Sequence, residues 1–295
     1  MDRLCDRWPS ISLVTPNYNQ VDYLEDTLRS VVSQKYPNLE YIVIDGGSDD
    51  GSRDVIARYD DALDYWHSKP DQGMYDAISQ GFRQSSGEIM GWVNSDDLHF
   101  PWTLHVVASI FSNFPSVNWI TSMQLAICDC QGIVRVRNAK GYSKEAFVQG
   151  RYGGYPDSLP GFGNIHQDST FWRRSLWESS DGLNLSYEGA SDFDLWCQFY
   201  KRECLYGANT PLGNFRRHPD QKTLSTTYSN GEECKKIFKR HYSRPPLSIQ
   251  RLATRWRLHR SILQTRLAPM IGYEGKVIKR NFKESTWEIE RNHFL

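Results

Sequence analysis

The chain contains no CxxC pair, no basic start followed by an apolar stretch, and no run approaching the roughly 18 apolar residues of a spanning helix. Neither charge sign dominates, since 35 Lys and Arg balance 35 Asp and Glu. Each absence removes a class of protein. The six cysteines, Cys5, Cys128, Cys130, Cys197, Cys204 and Cys234, are too sparse for a disulfide scaffold or a structural zinc site and suit reduced thiols. The missing leader and spanning run point to a cytoplasmic chain without a signal peptide. Zero net charge argues against a polyanionic partner, and no recognition motif for nucleic acid accompanies it. GxGxxG and GxxxxGKS/T are both absent, which counts against dinucleotide dehydrogenases and P-loop NTPases. There is no internal repeat or low-complexity segment.

What remains is a chain of 295 residues, 39% hydrophobic, able to bury one large core with or without an appendage. From Ile11 onward, short β-branched runs alternate with helical periodicity, the pattern of strands separated by crossover helices. Ile11 to Thr15 reads as a strand, Val21 to Val32 as a helix with one apolar face, and Tyr41 to Ile44 as a second strand. A helix over Arg53 to Tyr59, a short strand near Asp64 to His67, a helix carrying Met74 to Phe82, and a strand over Ile89 to Val93 follow. Polar residues gather after Thr15, Ile44 and Val93, where successive strands end. Ligands of open α/β sheets bind beside such ends, so these clusters are expected to share one crevice. Past Thr121 the pattern is less regular. Gly150 to Gly163 reads as a loop able to act as a lid, and helical pattern returns at Phe193 to Tyr200.

Five clusters carry groups suited to chemistry. Thr15-Pro16-Asn17-Tyr18-Asn19 offers small polar groups and a ring to a base or ribose, or forms a plain turn. Asp45 opens a flexible turn, Gly46 to Ser52, that both contacts a ligand and caps the next helix on a joint reading. Asn94-Ser95-Asp96-Asp97 presents two carboxylates that suit a divalent cation on a diphosphate, or a helix cap before Pro101. Asp71 stands just before a helix, where a cap is the plain reading, and Asp192 and Asp194, at an aromatic-rich helix start, offer two more carboxylates, one of that pair a candidate general base. His218 sits between Arg217 and Lys222 in a stretch able to meet phosphate.

Six stretches in this order, TPNYN, VIDGGSDDGS, SKPDQGMYDAISQG, WVNSDD, SDFDLW and FRRHPDQKTLS, resemble the family-two glycosyltransferases across Ile11 to Ser225. The resemblance implies the α/β fold called GT-A, a single-domain Rossmann-like mixed sheet flanked by helices. That domain would occupy 1–240, with a nucleotide-binding half over about 1–120 and an acceptor half over 121–240, followed by a basic helical C-terminal extension over 241–295. It implies that Thr15, Pro16, Asn17 and Tyr18 line the nucleotide pocket, that Asp45 contacts the base, and that Asp71 lies near the nucleoside or donor sugar. Asp97 would be the direct ligand of Mn²⁺ or Mg²⁺, Asp96 nearer the ribose or donor sugar, and Asn94 stands where an acidic residue is common. His218 would approach the metal diphosphate, His166 and Gln167 the acceptor or donor sugar, and Asp192 would be the catalytic base, with Asp194 its competitor. The implied reaction is inverting transfer from a nucleotide diphosphate sugar, UDP-sugars foremost, to a glycan or lipid-linked acceptor in surface polysaccharide synthesis. A sugar nucleotidyltransferase and an inactive nucleotide-sugar-binding protein are the alternatives.

Charge is unevenly spread. Between Lys235 and Lys283 the one acidic residue is Glu274, while Leu252, Trp256, Leu263 and Leu267 fall on one face of a basic helical pattern. Two readings stand for 247–283: a peripheral contact with an anionic membrane on the inner face of the cell, or a helix packed on the domain or a dimer partner.

Overall fold

The computed structural model describes residues 8–152, 162–221, 230–242 and 273–294. Strand β1 (Ile11–Asn17) is buried along its length and pairs in parallel with β2 (Leu39–Asp45), which pairs in parallel with β3 (Tyr65–Ser68). On its other side β1 pairs in parallel with β4 (Ile89–Trp92). Helices α1 (Val21–Val32), α2 (Ser52–Ala57) and α3 (Met74–Gln84) make the crossovers, so each element read from the sequence in this half is present with its ends moved by a few residues. Period-two alternation sets the layers. Leu13, Tyr41 and Val43 face the core beneath α1 and α4 (Thr103–Asn113), while Val14, Ile42 and Ile44 face the one beneath α3. Gly81 lets α3 approach the sheet closely: a Cβ there would stand 2.5 Å from Val14 Cγ1.

The second half continues the same sheet. Strand β6 (Trp119–Ser122), β9 (Phe171–Arg173) and β10 (Tyr206–Ala208) extend it beyond β4, with β9 antiparallel to both neighbours. A smaller sheet of order β5 (Leu98–His99), β11 (Gly213–Arg217), β7 (Gln124–Asp129) and β8 (Val134–Asn138) stands apart from it. Short helices α5 (Lys144–Val148) and α6 (Arg174–Glu178) precede α7 (Ser191–Arg202), whose aromatic face seats Trp196 nearly parallel to Trp92 at 6.0 Å between centroids. Helix α8 (Asn230–His241) lies against α7 through His241 Nε2 and Asp194 Oδ1, 2.7 Å apart.

The expected helical extension is corrected over its last third. Residues Glu274–Asn281 and Thr286–His293 are strands β12 and β13, a hairpin that joins β10 and completes a nine-stranded sheet. Packing on both faces explains it: Ile278 is fully buried and Trp287 packs on the same cluster, Val277 meets the cluster on the other side, and the half-buried Lys276 and Arg280 lie over the rings of Tyr206 and Trp287. Asn281 Oδ1 accepts from Lys283 N and Glu284 N, closing the turn. The face of Leu252, Trp256, Leu263 and Leu267 lies outside the described residues, as does most of the expected lid. No helix among the described residues is long and apolar enough to cross a membrane.

Candidate active site

Parallel register brings the ends of β1, β2 and β3 together, with Asn17 opposite Asp45 and Asp45 opposite Ser68. Asp45 is fully buried and accepts from Asn17 Nδ2 at 2.6 Å, Ser48 Oγ at 2.5 Å and Ser68 Oγ at 2.5 Å. Backbone N–H groups of Gly47 and Ser48 add two further donors. Burial alone would raise its pKa, but the hydrogen bonds from Ser48, Ser68 and Asn17 outweigh it and hold the carboxyl below the usual range. Asp45 therefore organises the loop, and its neighbour Gly46 reaches the cavity wall instead.

That wall encloses about 950 Å³ at the carboxyl ends of the strands. Of the residues singled out from sequence, Pro16, Asn17, Tyr18, Asp71, Asn94, Asp96, His166, Gln167 and Asp192 line it. Thr15, Asp45, Asp97, His218 and Asp194 stand behind it. Tyr18, 63% exposed, and Asp71 flank Gly46 so closely that an added Cβ would lie 3.0 Å from Asp71 Oδ2 and 3.2 Å from Tyr18 Cδ2. Burial raises the pKa of Asp71, with the charges of Asp76 and Asp45 adding to it and the Gly73 N–H opposing it.

The WVNSDD carboxylates divide differently from expectation. Asp97 is fully buried: Oδ1 accepts from Arg216 N at 3.0 Å, and Oδ2 from Gln167 Nε2 at 3.2 Å and Asn94 Nδ2 at 3.4 Å. Burial, then the charges of Asp96 and Asp168, push its pKa well up. Asp96 is the carboxylate on the wall, and its Oδ2 lies 3.1 Å from His218 Nε2. The His218 ring is packed 4.1 Å from that of Tyr23 on α1. His218 Nδ1, Asn94 Oδ1 and Gln167 Oε1 are buried without a hydrogen-bond partner among the described residues. No group of three or more His, Cys, Asp or Glu able to hold a metal occurs among the described residues. A hard cation on a diphosphate needs only one or two protein carboxylates. Asp96 is the one of this pair on the cavity wall, whereas Asp97 is turned to Arg216, Gln167 and Asn94, and the His218 ring lies buried behind Asp96.

Asp192 occupies the first turn of α7 and lines the same cavity. Phe193 N donates to its Oδ1 at 2.7 Å and Tyr75 Oη at 3.3 Å. Burial lifts its pKa to about 6, against those two hydrogen bonds. Asp194 is committed elsewhere, to Gln198 Nε2 at 3.0 Å and His241 Nε2. Phe147, Tyr152, Phe193 and Trp196 add aromatic groups to the lining. Sequence reading missed Tyr75 as the partner of Asp192 although it lies inside the quoted GMYDA stretch, and it missed Asp168, buried two residues from His166. Spacing carries no signal for Tyr75, which meets Asp192 across the fold, whereas the side chain of Asp168 meets its sequence neighbours His166 and Ser169.

An uncharacterized glycosyltransferase of Rickettsia typhi is 25% identical over 232 residues, 78% of this chain and 70% of that protein. One from Mycobacterium tuberculosis is 39% identical over 188 residues, 62% of this chain and 66% of that protein. Among solved structures, S. aureus TarS 1-349 in complex with UDP-GlcNAc superposes with a TM-score of 0.62 at 16% identity, covering 82% of this chain and 69% of that one. The mixed sheet flanked by helices is thus the GT-A architecture. The model of glycosyl transferase family 2 matches residues 12–180, more than half of the sequence, and the chain belongs to that family.

Proposed function

We propose that this transferase moves a sugar from a nucleoside diphosphate donor to an acceptor hydroxyl with inversion, in the synthesis of a surface polysaccharide or lipid-linked glycan. The observation that carries the reading is the placement of Tyr18, Asp71, Asp96 and Asp192 on the wall of one cavity, the last a carboxyl with its pKa raised to about 6. Tyr18, Gly46 and Asp71 hold the nucleoside. Asp192 accepts the proton of the attacking hydroxyl, a base whose pKa suits work near neutral pH. Holding donor and acceptor in line supplies much of the remaining rate.

Charge on the wall supports a divalent cation. Among the described residues it carries Asp71, Asp96, Asp168, Asp192 and Asp220 but one Lys or Arg, Arg217. A diphosphate entering this field is repelled unless its charge is offset. Mn²⁺ or Mg²⁺ held by Asp96, with His218 behind it orienting that carboxylate, would neutralise the diphosphate leaving group. UDP is favoured as the nucleotide by the UDP-GlcNAc of the fold neighbour.

A thermal-shift screen of UDP-, GDP- and dTDP-sugars with Mn²⁺, with Mg²⁺ and with chelator tests the reading. A shift for one donor that disappears with chelator is the expected result. Absence of a shift with every donor and metal rejects it. In the same assay Gly46→Ala is expected to weaken the donor by about tenfold, since the new methyl narrows the slot between Tyr18 and Asp71. An unchanged affinity would place the nucleoside elsewhere.

A further inference from the structure

Strand register carries the cavity wall outward. Phe215 on β11 pairs with Ile127 on β7, and both side chains line the cavity. Ile127 pairs in turn with Arg135 on β8, so Arg135 stands on the same face, its Cβ within about 5.5 Å of the Ile127 Cβ. Two residues on, Arg137 pairs with Leu125 on that face again. Arg217, itself on the cavity wall, is two residues beyond Phe215 and shares this face too.

The face is net basic, with three arginines to one acidic residue. All five residues of β8 are exposed, and Arg135, Arg137 and Arg217 make no salt bridge among the described residues. Asp129, opposite Arg217, is the acidic residue on this face, and its Oδ1 is occupied by the N–H groups of Gln131 and Ile133. Charged side chains on an edge strand also block sheet-to-sheet pairing. That service is met by charge on either face, whereas alternation puts both β8 arginines beside the cavity mouth and Val134 and Val136 on the other side.

We infer that Arg135, Arg137 and Arg217 form a subsite for a phosphate group carried by the acceptor, outside the donor site. The inference rests on the proposed transferase reading and names its acceptor class. Guanidinium groups pair with phosphate through two parallel N–H donors; Arg135 and Arg137 follow one another on β8 and Arg217 lies two strands away on β11, a spread that suits a phosphomonoester, a diphosphate or a phosphodiester chain. The acidic wall behind them excludes such a group from the cavity itself, so the acceptor's sugar enters and its phosphate stays at the rim. Attack by the hydroxyl and loss of the donor diphosphate leave this phosphate unchanged.

The test uses the full chain saturated with whichever of UDP, GDP or dTDP stabilises it together with Mn²⁺, so that the donor phosphate site is filled. Farnesyl phosphate, farnesol, glycerol 3-phosphate and glycerol are titrated into the wild type and Arg135→Gln/Arg137→Gln by calorimetry at 50 and 300 mM salt. The wild type is expected to bind a phosphate probe and neither alcohol, with affinity falling at the higher salt. The double variant is expected to lose that affinity by about tenfold or more while nucleotide binding is unchanged. Preference for farnesyl phosphate assigns a lipid-linked phosphate, and equal binding of glycerol 3-phosphate assigns the phosphate alone. Equal affinity in both proteins, or no binding of either phosphate to the nucleotide-loaded wild type, overturns the inference while leaving the transferase reading intact. Failure of every nucleotide to bind would instead sink that reading.

Discussion

Asp192→Asn is expected to lower kcat by about a thousandfold while the donor dissociation constant stays within about twofold, because the amide keeps the shape and loses the base. Both hydrogen bonds that reach the Asp192 carboxyl from described residues fall on Oδ1, from Phe193 N and Tyr75 Oη. Asn preserves the Oδ1 acceptor, so the first turn of α7 keeps its geometry. The pH profile gives a second signature. The wild-type kcat/KM is expected to fall as pH drops through about 6, where burial has placed this carboxyl, since only the ionised form accepts a proton. The residual activity of the variant should lack that limb.

Stability moves in the opposite direction. A carboxyl whose folded pKa is raised to about 6, above its ordinary value in an unfolded chain, favours the folded state most below that unfolded value. That contribution is lost as pH rises through 6. At pH 7.5 the ionised Asp192 thus burdens the fold, and the amide is expected to leave Tm equal or higher in differential scanning fluorimetry. A variant inactive because it unfolds would show the reverse. Transfer at the wild-type rate would remove Asp192 as the base, and Asp194 could not replace it without giving up Gln198 and His241.

The nucleotide half was legible because its signals are local. β1, β2 and β4 are apolar runs whose two faces are both covered, and α1 and α3 carry clean apolar faces, so periodicity located them to within a few residues. The C-terminal hairpin was hidden by its own charge. Basic residues in Glu274–Asn281 outweigh Val277 and Ile278 in any count of composition, though those two meet the sheet and packing against the core decides the conformation. Within the site, strand-end clusters announced where ligands gather. Which carboxylate faces the cavity was not legible, because Asp96 and Asp97 are adjacent and differ only in where the chain turns after β4. The partner of Asp97 is a backbone N–H more than a hundred residues later, at Arg216, and no spacing rule reaches that far.

Asp96 and Asp97 are expected to separate cleanly on substitution, and this comparison has the largest effect after loss of the base. Asp96→Asn removes the carboxylate that meets His218 at the cavity wall, and cation-dependent donor binding is expected to weaken by about a hundredfold. Its Tm should change little, since the Asp96 side chain is 21% exposed and the contact it gives up is the one to His218. Asp97→Ala acts on the fold instead. It strands the Arg216 N–H, the Gln167 amide and the Asn94 amide in the interior, where an unmet donor costs about 1–3 kcal/mol. The removal of a buried, raised-pKa carboxyl returns part of that cost, so a Tm loss of several degrees is the expected net effect. Donor affinity of the folded fraction should fall less than in Asp96→Asn. Calorimetric titration of Mn²⁺ into each variant with donor present, beside its thermal denaturation, reads both quantities. If Asp97→Ala abolishes cation binding at unchanged Tm while Asp96→Asn retains it, the assignment of the two carboxylates is inverted, and the turn after β4 must rotate when donor binds.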